Sequence, residues 1–289
     1  NQVTMPKTLS ATETRWRVSP DPPEAFVKRF PEYPAVVRKL LHARGLTEDA
    51  DIQQFLNPKY PDDLHDPMLL SGMEQAVATV LESIKNGERI VIHGDYDADG
   101  LTATSLLEDV LRTLGANVTP FVPSRYVEGY GVAAATLNRL RQDGADLVIT
   151  VDCGISSAKQ IAAARKEGLK VVVTDHHQPP PEVPEAEAVI NPHLPGDSYP
   201  NKDLAGVGVA FKLAQALLKA SNLSARQREA AEKWVLDLVA LGTVADLVSL
   251  RGENRTLVKY GLLVLEQARR PGVKALMQVA GVDPARCSA

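Results

Sequence analysis

The chain has 289 residues, 44% of them apolar, and a formal net charge of −4. This length allows one large core or two modest lobes, and the slightly acidic balance excludes a strongly basic, non-specific DNA binder. With only two cysteines, Cys153 and Cys287, a disulfide framework is not expected, so the composition favours a reducing cytoplasm. No apolar run reaches the roughly 18–20 residues that a membrane span needs, and no signal peptide is recognisable.

The first 70 residues are predicted to form an N-terminal extension. The proline-bearing sequence before residue 35 is interpreted as irregular, and short helices are predicted at 35–44 and 47–55. Thr47, followed by acidic residues, is a typical helix start. A stretch rich in Pro and Asp, residues 57–68, is predicted to be a connector.

From residue 72 onward, short apolar runs alternate with helix-length segments. Strands that alternate with helices of about 10–15 residues predict an α/β fold, a mostly parallel sheet flanked by helices on both faces. The predicted strands are 90–93, 117–122, 147–151, 170–174 and 188–190. The predicted helices are 72–86, 101–114, 133–142 and 156–167, followed by an all-helical region with 207–220, 225–241, 255–267 and 273–279.

Acidic and histidine side chains follow three of these strands at the point where each strand ends. The clusters are His93 with Asp95, Asp97 and Asp99, then Asp152, then Asp175 with His176 and His177. Ligands of open parallel sheets bind beyond the carboxyl ends of the strands, so we expect the three clusters to meet there. Like charges at this density favour a bound cation.

The mixture of oxygen and imidazole donors suits Mn²⁺, Mg²⁺, Zn²⁺ or Fe²⁺. Since thiols are scarce, Mn²⁺ or Mg²⁺ is the better prediction. Five or six candidate ligands exceed the needs of one catalytic ion that also binds water. Two ions sharing one carboxylate would use them, and would activate a water for attack on a phosphoryl group.

Three other motifs fit the sequence less well than this metal site. Asp95–Gly100 opens like an EF-hand calcium loop, but its twelfth position is Leu106 instead of Glu, and a strand precedes it. The G-x-x-x-x-G-K-[ST] pattern of a P-loop is absent from the sequence. Gly206 and Gly208 lack the strand context of a dinucleotide fingerprint, so they are expected to allow close helix packing or backbone approach to a phosphate.

At Asp175-His176-His177 the chain resembles the DHH phosphoesterases and, within them, the RecJ family of single-stranded-DNA-specific 5′ exonucleases. The matching stretches run in order along the chain: HGDYDADGLTATSLL (93–107), VPSRYVEGYG (122–131), VDCGISS (151–157), VVTDHHQPP (172–180), INPHLPG (190–196), LAGVGVAFKL (204–213) and LVALGTVADLVSL (238–250).

This resemblance implies roles for individual residues. The implied metal ligands are His93, Asp97, Asp99, Asp152 as the bridging carboxylate, His176 and Asp246. His177 is implied to contact the scissile phosphate or to orient a ligand. The implied catalytic residues are therefore Asp97, Asp99, Asp152, His176, His177 and Asp246. Asp95 would orient its loop, and Asp175 would hold a histidine ring nitrogen.

Substrate contacts are implied for Arg125, His177 and Asn191. The planar guanidinium of Arg125 can donate two hydrogen bonds to a phosphate. His193 faces the same edge, while Tyr126 and Tyr130 either stack on bases or pack within their loop.

The resemblance implies a metal-dependent 5′-to-3′ exonuclease that hydrolyses single-stranded DNA to nucleoside 5′-monophosphates. Its cofactors would be two Mn²⁺ ions, with Mg²⁺ as the alternative. DNA repair and recombination in the cytoplasm would be its setting, with a helicase or a single-strand-binding protein as a potential partner and no membrane. The implied domains are an extension (1–70), a catalytic domain (71–252) and the start of a helical linker (253–289) to a second lobe outside this sequence.

Two alternative functions stay open at this point. A DHH phosphodiesterase or pyrophosphatase acting on small substrates would use the same residues. A non-catalytic DNA-binding scaffold would be expected to have lost ligands, whereas every implied ligand position is filled here.

Overall fold

The structure is a computed structural model that describes residues 18–126 and 131–286. The chain divides into two compact units, Asn1–Asn57 and Pro58–Ala289. The boundary lies within the extension predicted for residues 1–70. Within the described ranges, every helix falls short of the length and apolar character that crossing a bilayer demands.

Residues 18–57, the described part of the first unit, form a small three-helix cluster. Its helices are α1 (Glu24–Arg29), α2 (Ala35–Ala43) and α3 (Asp49–Leu56), which enclose Phe26, Phe30, Leu41, Leu46 and Ile52. The prediction that the sequence before residue 35 is irregular was wrong for α1, because the prolines before this helix were interpreted as loop signals. Pro23 is instead the N-cap of α1, and a proline at the start of a helix costs no hydrogen bond. The helix start predicted at Thr47 was also wrong, because Glu48 is the N-cap of α3.

Among its described residues, the second unit contains five strands and nine helices longer than one turn. The strands are β1 (Arg89–His93), β2 (Asn117–Phe121), β3 (Leu147–Val151), β4 (Lys170–Thr174) and β5 (Ala188–Ile190). The helices are α4 (Met73–Lys85), α5 (Ala98–Thr113), α6 (Ala134–Gln142), α7 (Ala158–Lys166), α8 (Gly206–Ala220), α9 (Ala225–Trp234), α10 (Leu236–Ala245), α11 (Gly252–Leu265) and α12 (Pro271–Ala280).

All five strands pair in parallel, in the order β2-β1-β3-β4-β5. Alternate side chains of each strand enter two different cores. Ile90 and Ile92 of β1 pack with α4, α5 and α8, whereas Val91 packs with α6 and α7. The predicted α/β class, a parallel sheet covered on both faces, is therefore confirmed. The strand order reverses direction between β1 and β3, which is where such sheets open a crevice.

One predicted helix, 225–241, is two helices in the structure. The chain turns at Val235, which ends α9 and precedes α10. Helix α9 is exposed or half-buried along its whole length, whereas α10 begins with five consecutive buried residues. A single straight helix would not give its two halves such different surroundings, so the turn lets the polar half stay in water while the apolar half enters the core.

Candidate metal centre

Asp99 lies in the first turn of α5 and is 2% exposed. Its Oδ2 accepts a hydrogen bond from the backbone N–H of Gly206 at 2.6 Å, and its Oδ1 accepts one from Val207 at 2.9 Å. These are the first two residues of α8. The N-terminus of α8 therefore fixes the carboxylate of Asp99 through donors that have no partner within the helix.

Asp97 and Asp95 hold the loop between β1 and α5. The N-cap of α5 is Asp97, whose Oδ1 accepts from Gly100 N at 2.9 Å while the residue stays exposed. Asp95 is buried, and its Oδ1 accepts from Tyr96 N at 2.7 Å. A Cβ at position 100 would come within 2.6 Å of Asp95 N, so this loop conformation leaves room only for glycine at position 100. Capping moves the start of α5 to Ala98, three residues before the predicted start.

Asp152 directly follows β3 and adopts a left-handed backbone with φ of +60°. It is 1% exposed, and its Oδ1 forms no hydrogen bond with the residues that the structure describes. His176 Nε2 lies 3.1 Å from this oxygen, without hydrogen-bond geometry. An unsatisfied buried carboxylate oxygen is costly, and a cation would satisfy it. The residues present therefore fit a bound metal ion.

His176 follows β4 and approaches three carboxylates with one ring nitrogen. Its Nε2 lies 3.1 Å from Asp152 Oδ1, 3.7 Å from Asp99 Oδ2 and 3.8 Å from Asp246 Oδ2. Asp246 is the C-cap residue of α10. Side chains from β3, β4, α5 and α10 therefore converge on one point.

His177 is braced by Asp175. The Nδ1 of His177 lies 2.7 Å from Asp175 Oδ1, which also accepts from the backbone N–H of His176 and His177. The other oxygen, Oδ2, accepts from Ile155 N at 2.9 Å. Asn191 completes the brace, since its amide donates to His177 O and accepts from His193 N, both at 2.8 Å.

Burial raises the pKa of Asp99 to about 6. It raises the pKa of Asp152 to about 10, and the negative charges of Asp99 and Asp97 add to this effect. Burial likewise raises the pKa of Asp95 and Asp246. These carboxyl groups cannot all ionise together unless positive charge is brought among them.

Asp175 shows the opposite behaviour. Burial by itself would raise its pKa, but the hydrogen bonds from His177 and Ile155 outweigh burial and lower it. The same bond to Asp175 raises the pKa of His177. Asp175 is therefore an ionised orienting group, unlike the carboxylates that face the centre.

Three groups of described side chains bring ligand atoms within 4.8 Å of one another. They are Asp152 with His176 and His177, Asp99 with His176 and Asp246, and Asp95 with Asp97 and Asp152. Five of the six predicted ligands lie in these groups. Asp95 and His177, which the sequence predicted for other roles, also lie at ligand distance.

His93 belongs to none of these groups among the described residues. Its Nδ1 lies 3.7 Å from the buried Cys153 Sγ, and its ring packs 5.2 Å from the ring of Phe121. Its ligand role stays a prediction, as do the roles of the other five.

The predicted substrate contacts have different surroundings. Arg125 is exposed and stacks its guanidinium 4.6 Å from the ring centroid of Tyr96. Tyr126 is 95% exposed, whereas Tyr130 lies outside the described residues. Asn191 is fully buried with its amide bonded to backbone, which supports a positioning role better than a direct substrate contact.

The sequence did not reveal the backbone donors of Gly206 and Val207. The glycine pair at 206 and 208 had indicated a close backbone approach, to a neighbouring helix or to a phosphate. The backbone of residue 206 instead approaches the carboxylates of Asp99 and Asp152. The partner, Asp99, is 107 residues away, and local sequence carries no sign of such a distant contact.

Residues 89–243 match the family model described as the DHH family, N-terminal domain. The chain is 40% identical over 278 residues to the single-stranded-DNA-specific exonuclease RecJ of Bacillus subtilis, which covers 95% of this chain and 34% of the relative. It is 40% identical over 265 residues to the Escherichia coli enzyme of the same name, covering 89% of this chain and 45% of the relative. The chain thus spans less than half the length of these relatives.

Solved structures of RecJ proteins also match the fold of this chain. A crystal structure of exonuclease RecJ bound to manganese matches with a TM-score of 0.66 and 39% identity, over 74% of this chain and 53% of that chain. RecJ from Thermus thermophilus in complex with Mn²⁺ matches with a TM-score of 0.75 and 33% identity, over 93% of this chain and 38% of that chain. A Mg²⁺ complex of the Thermus protein also matches, with a TM-score of 0.64 and 32% identity over 93% of this chain and 34% of that chain.

Proposed function

Because the chain belongs to the DHH family, we propose that it is a metal-dependent exonuclease that digests single-stranded DNA from the 5′ end and releases nucleoside 5′-monophosphates. The observation that carries this proposal is the convergence of five predicted ligands, which are Asp97, Asp99, Asp152, His176 and Asp246. The names of the relatives, at about 40% identity, support single-stranded DNA as the substrate.

Two Mn²⁺ ions are the proposed cofactors, with Mg²⁺ as the alternative. Related structures that contain either ion support this choice. Asp152 belongs to two of the three ligand groups, which supports it as the carboxylate shared by both ions. Two bound divalent cations would activate the attacking water and stabilise negative charge on the phosphoryl group.

His177 is proposed to contact the scissile phosphate. Its Nδ1 lies 2.7 Å from Asp175 Oδ1, and this contact orients the ring. The bond to Asp175 favours the protonated ring and raises its pKa. A protonated ring donates from Nε2 to a phosphoryl oxygen, and charge-assisted bonds of this kind are the stronger ones. Asp175 and Asn191 then act through His177 as positioning residues.

Digestion of single-stranded DNA labelled at either end tests the proposal. With Mn²⁺, a 5′ label is expected to appear at once in mononucleotide, while a 3′ label stays on a shrinking ladder. Excess chelator is expected to stop both processes. Release of mononucleotide from the 3′ label first would contradict the polarity. Intact DNA alongside cleavage of pyrophosphate or dinucleotides would support a small-substrate phosphodiesterase instead.

Arg125→Ala is expected to raise the KM for single-stranded DNA by about 10- to 100-fold with little change in kcat. The substitution would remove a hydrogen bond between the guanidinium and a substrate phosphate, and hydrogen bonds to charged groups contribute about 1.5–3 kcal/mol. Arg112→Ala is the matched control, because Arg112 is another exposed arginine, paired with Glu108 on α5. Equal KM values for the two variants, measured at fixed salt concentration, would remove Arg125 from the substrate path.

We further propose that residues 71–252 are the catalytic region, since the predicted ligands and substrate contacts all fall between β1 and the end of α10. DNA repair and recombination in the cytoplasm is the proposed setting. A helicase or a single-strand-binding protein is the proposed partner, because other proteins must expose a single-stranded 5′ end before it can be digested.

A further inference from the structure

Residue 206 contacts the two deepest carboxylates of the centre in two different ways. Its backbone N–H donates to Asp99 Oδ2 at 2.6 Å. On its other side, a Cβ at this position would lie 2.5 Å from Asp152 Oδ1, 2.6 Å from its Cβ and 2.7 Å from its Cγ. Atoms of Asp152 therefore occupy the space that any side chain at 206 would need.

Neither carboxylate can easily move to make room. Asp99 is 2% exposed and is held by two backbone donors of α8. Asp152 is 1% exposed, and its backbone is in the left-handed region, with its N–H bonded to Thr174 O at 3.1 Å. A clash that includes the Cβ of Asp152 cannot be relieved by rotation about χ1. Either α8 or the segment after β3 would have to shift.

A second glycine makes a similar contact from α10. A Cβ at Gly242 would meet Thr102 Oγ1 first, and would lie 2.7 Å from Val207 Cγ1 and 2.8 Å from Asp99 Oδ1. Asp246, one turn later on the same helix, lies 3.8 Å from His176 Nε2. Close approach of α10 to α8 thus brings Asp246 to the centre.

Gly208 shows what an ordinary packing glycine in α8 looks like. The nearest atom to a Cβ at 208 would be a terminal methyl of Leu204, at 3.1 Å. A flexible leucine side chain can give way by that amount. Gly206 differs because its neighbours are the carboxylates themselves, so the requirement for glycine belongs to the centre and not to helix packing in general.

We propose that Gly206 is a positioning residue that sets the separation of the Asp99 and Asp152 carboxylates. Its N–H draws Asp99 toward the start of α8, and the missing side chain lets Asp152 approach from β3. This inference rests on the proposed function, in which both carboxylates bind the same pair of divalent cations. A methyl group at 206 would move the two apart.

Gly206→Ala and Gly208→Ala are the matched pair that tests the positioning role. We expect Gly206→Ala to weaken Mn²⁺ binding, measured by calorimetry on the full chain, by about 10- to 100-fold, the range found for residues that support metal ligands. The kcat on single-stranded DNA should fall in parallel while KM changes little. Gly208→Ala should leave Mn²⁺ affinity within about twofold of the parent. Equal Mn²⁺ affinities for the two variants would overturn the proposal.

A double-mutant cycle of Gly206→Ala and Asp152→Gly, measured by thermal unfolding, separates this proposal from the proposed function. The measurement needs neither metal nor DNA. Glycine suits the left-handed backbone at 152 and removes the three atoms nearest to a methyl at 206, which are Oδ1, Cβ and Cγ of Asp152. In chelator, Gly206→Ala should lower the Tm of the parent by about 5 °C, and should lower the Tm of Asp152→Gly by much less. Equal Tm losses in the two backgrounds would overturn the steric coupling, whether or not the parent cleaves DNA.

Discussion

Asp152→Asn is expected to lower the rate of single-stranded DNA hydrolysis by about 10³-fold or more and leave the metal-free fold intact. Metal-ion stabilisation of the transition state is worth several kcal/mol, and about 4 kcal/mol corresponds to this factor. Asparagine has the shape of aspartate and tolerates the left-handed backbone found at this position. Burial holds the pKa of Asp152 far above its usual range, so in chelator a neutral amide replaces a group that is already neutral at pH 7.

Hydrolysis should be measured with Mn²⁺ in excess, and thermal unfolding with and without Mn²⁺. Mn²⁺ should raise the Tm of the parent, because a ligand that binds only the folded state stabilises it, and this gain should be lost in Asp152→Asn. Asp62→Asn is the control, since Asp62 is exposed and outside the three ligand groups formed by the described residues. Parent-like hydrolysis by purified Asp152→Asn, free of parent enzyme, would contradict the role given to Asp152.

Lys212→Met is expected to reduce the free energy of unfolding by about 3–5 kcal/mol, the usual effect of removing one partner from a buried ion pair. Lys212 is fully buried in α8, where its Nζ pairs with Glu253 and donates to His65 O at 3.0 Å. Glu253 also accepts from Tyr199 Oη at 2.7 Å and His65 N at 3.0 Å. Without the lysine, a buried carboxylate loses its countercharge. Urea denaturation of the metal-free protein measures the loss.

Lys233→Met is the matched control for this substitution. Lys233 pairs with Glu229 on the surface of α9, with side chains that are 51% and 63% exposed, and such pairs contribute no more than about 1 kcal/mol. Adding Glu253→Gln to Lys212→Met should recover part of the stability, because the orphaned charge is removed. Losses of equal size for Lys212→Met and Lys233→Met would contradict the stabilising role of the buried pair.

The sheet could be predicted from sequence because its signal is local. Strands β3, β4 and β5 have the predicted bounds, since each is a short apolar run between polar turns, and burial on both faces requires such runs. Helix α1 was missed because the prolines before it were interpreted as loop signals. The turn at Val235 was missed because it depends on which part of the segment meets the core, and the residue pattern of the segment does not specify that.

The candidate site was predictable to the extent that its residues follow strands. Topology alone brings Asp99, Asp152 and His176 to one edge of the sheet. Asp246 stands at the end of a helix, and only the family resemblance pointed to it. The sequence did not predict that Asp95 and His177 lie at ligand distance while His93 lies outside the three groups of described residues, because side chains a few residues apart can point in different directions. Contacts made by backbone N–H groups leave no side-chain pattern at all.

Two helices begin at this centre, and their first backbone N–H groups are met by Asp97 for α5 and by Asp99 for α8. Each helix start carries a partial positive charge of about half a unit. Together they offset about one of the five carboxylate charges that the centre would carry with Asp95, Asp97, Asp99, Asp152 and Asp246 all ionised. Two divalent cations would neutralise the remaining four. Under the proposed function we therefore expect the ions to enter first and the nucleic acid to follow, because without the ions the charges that stay ionised at the centre are mainly negative and repel a phosphate.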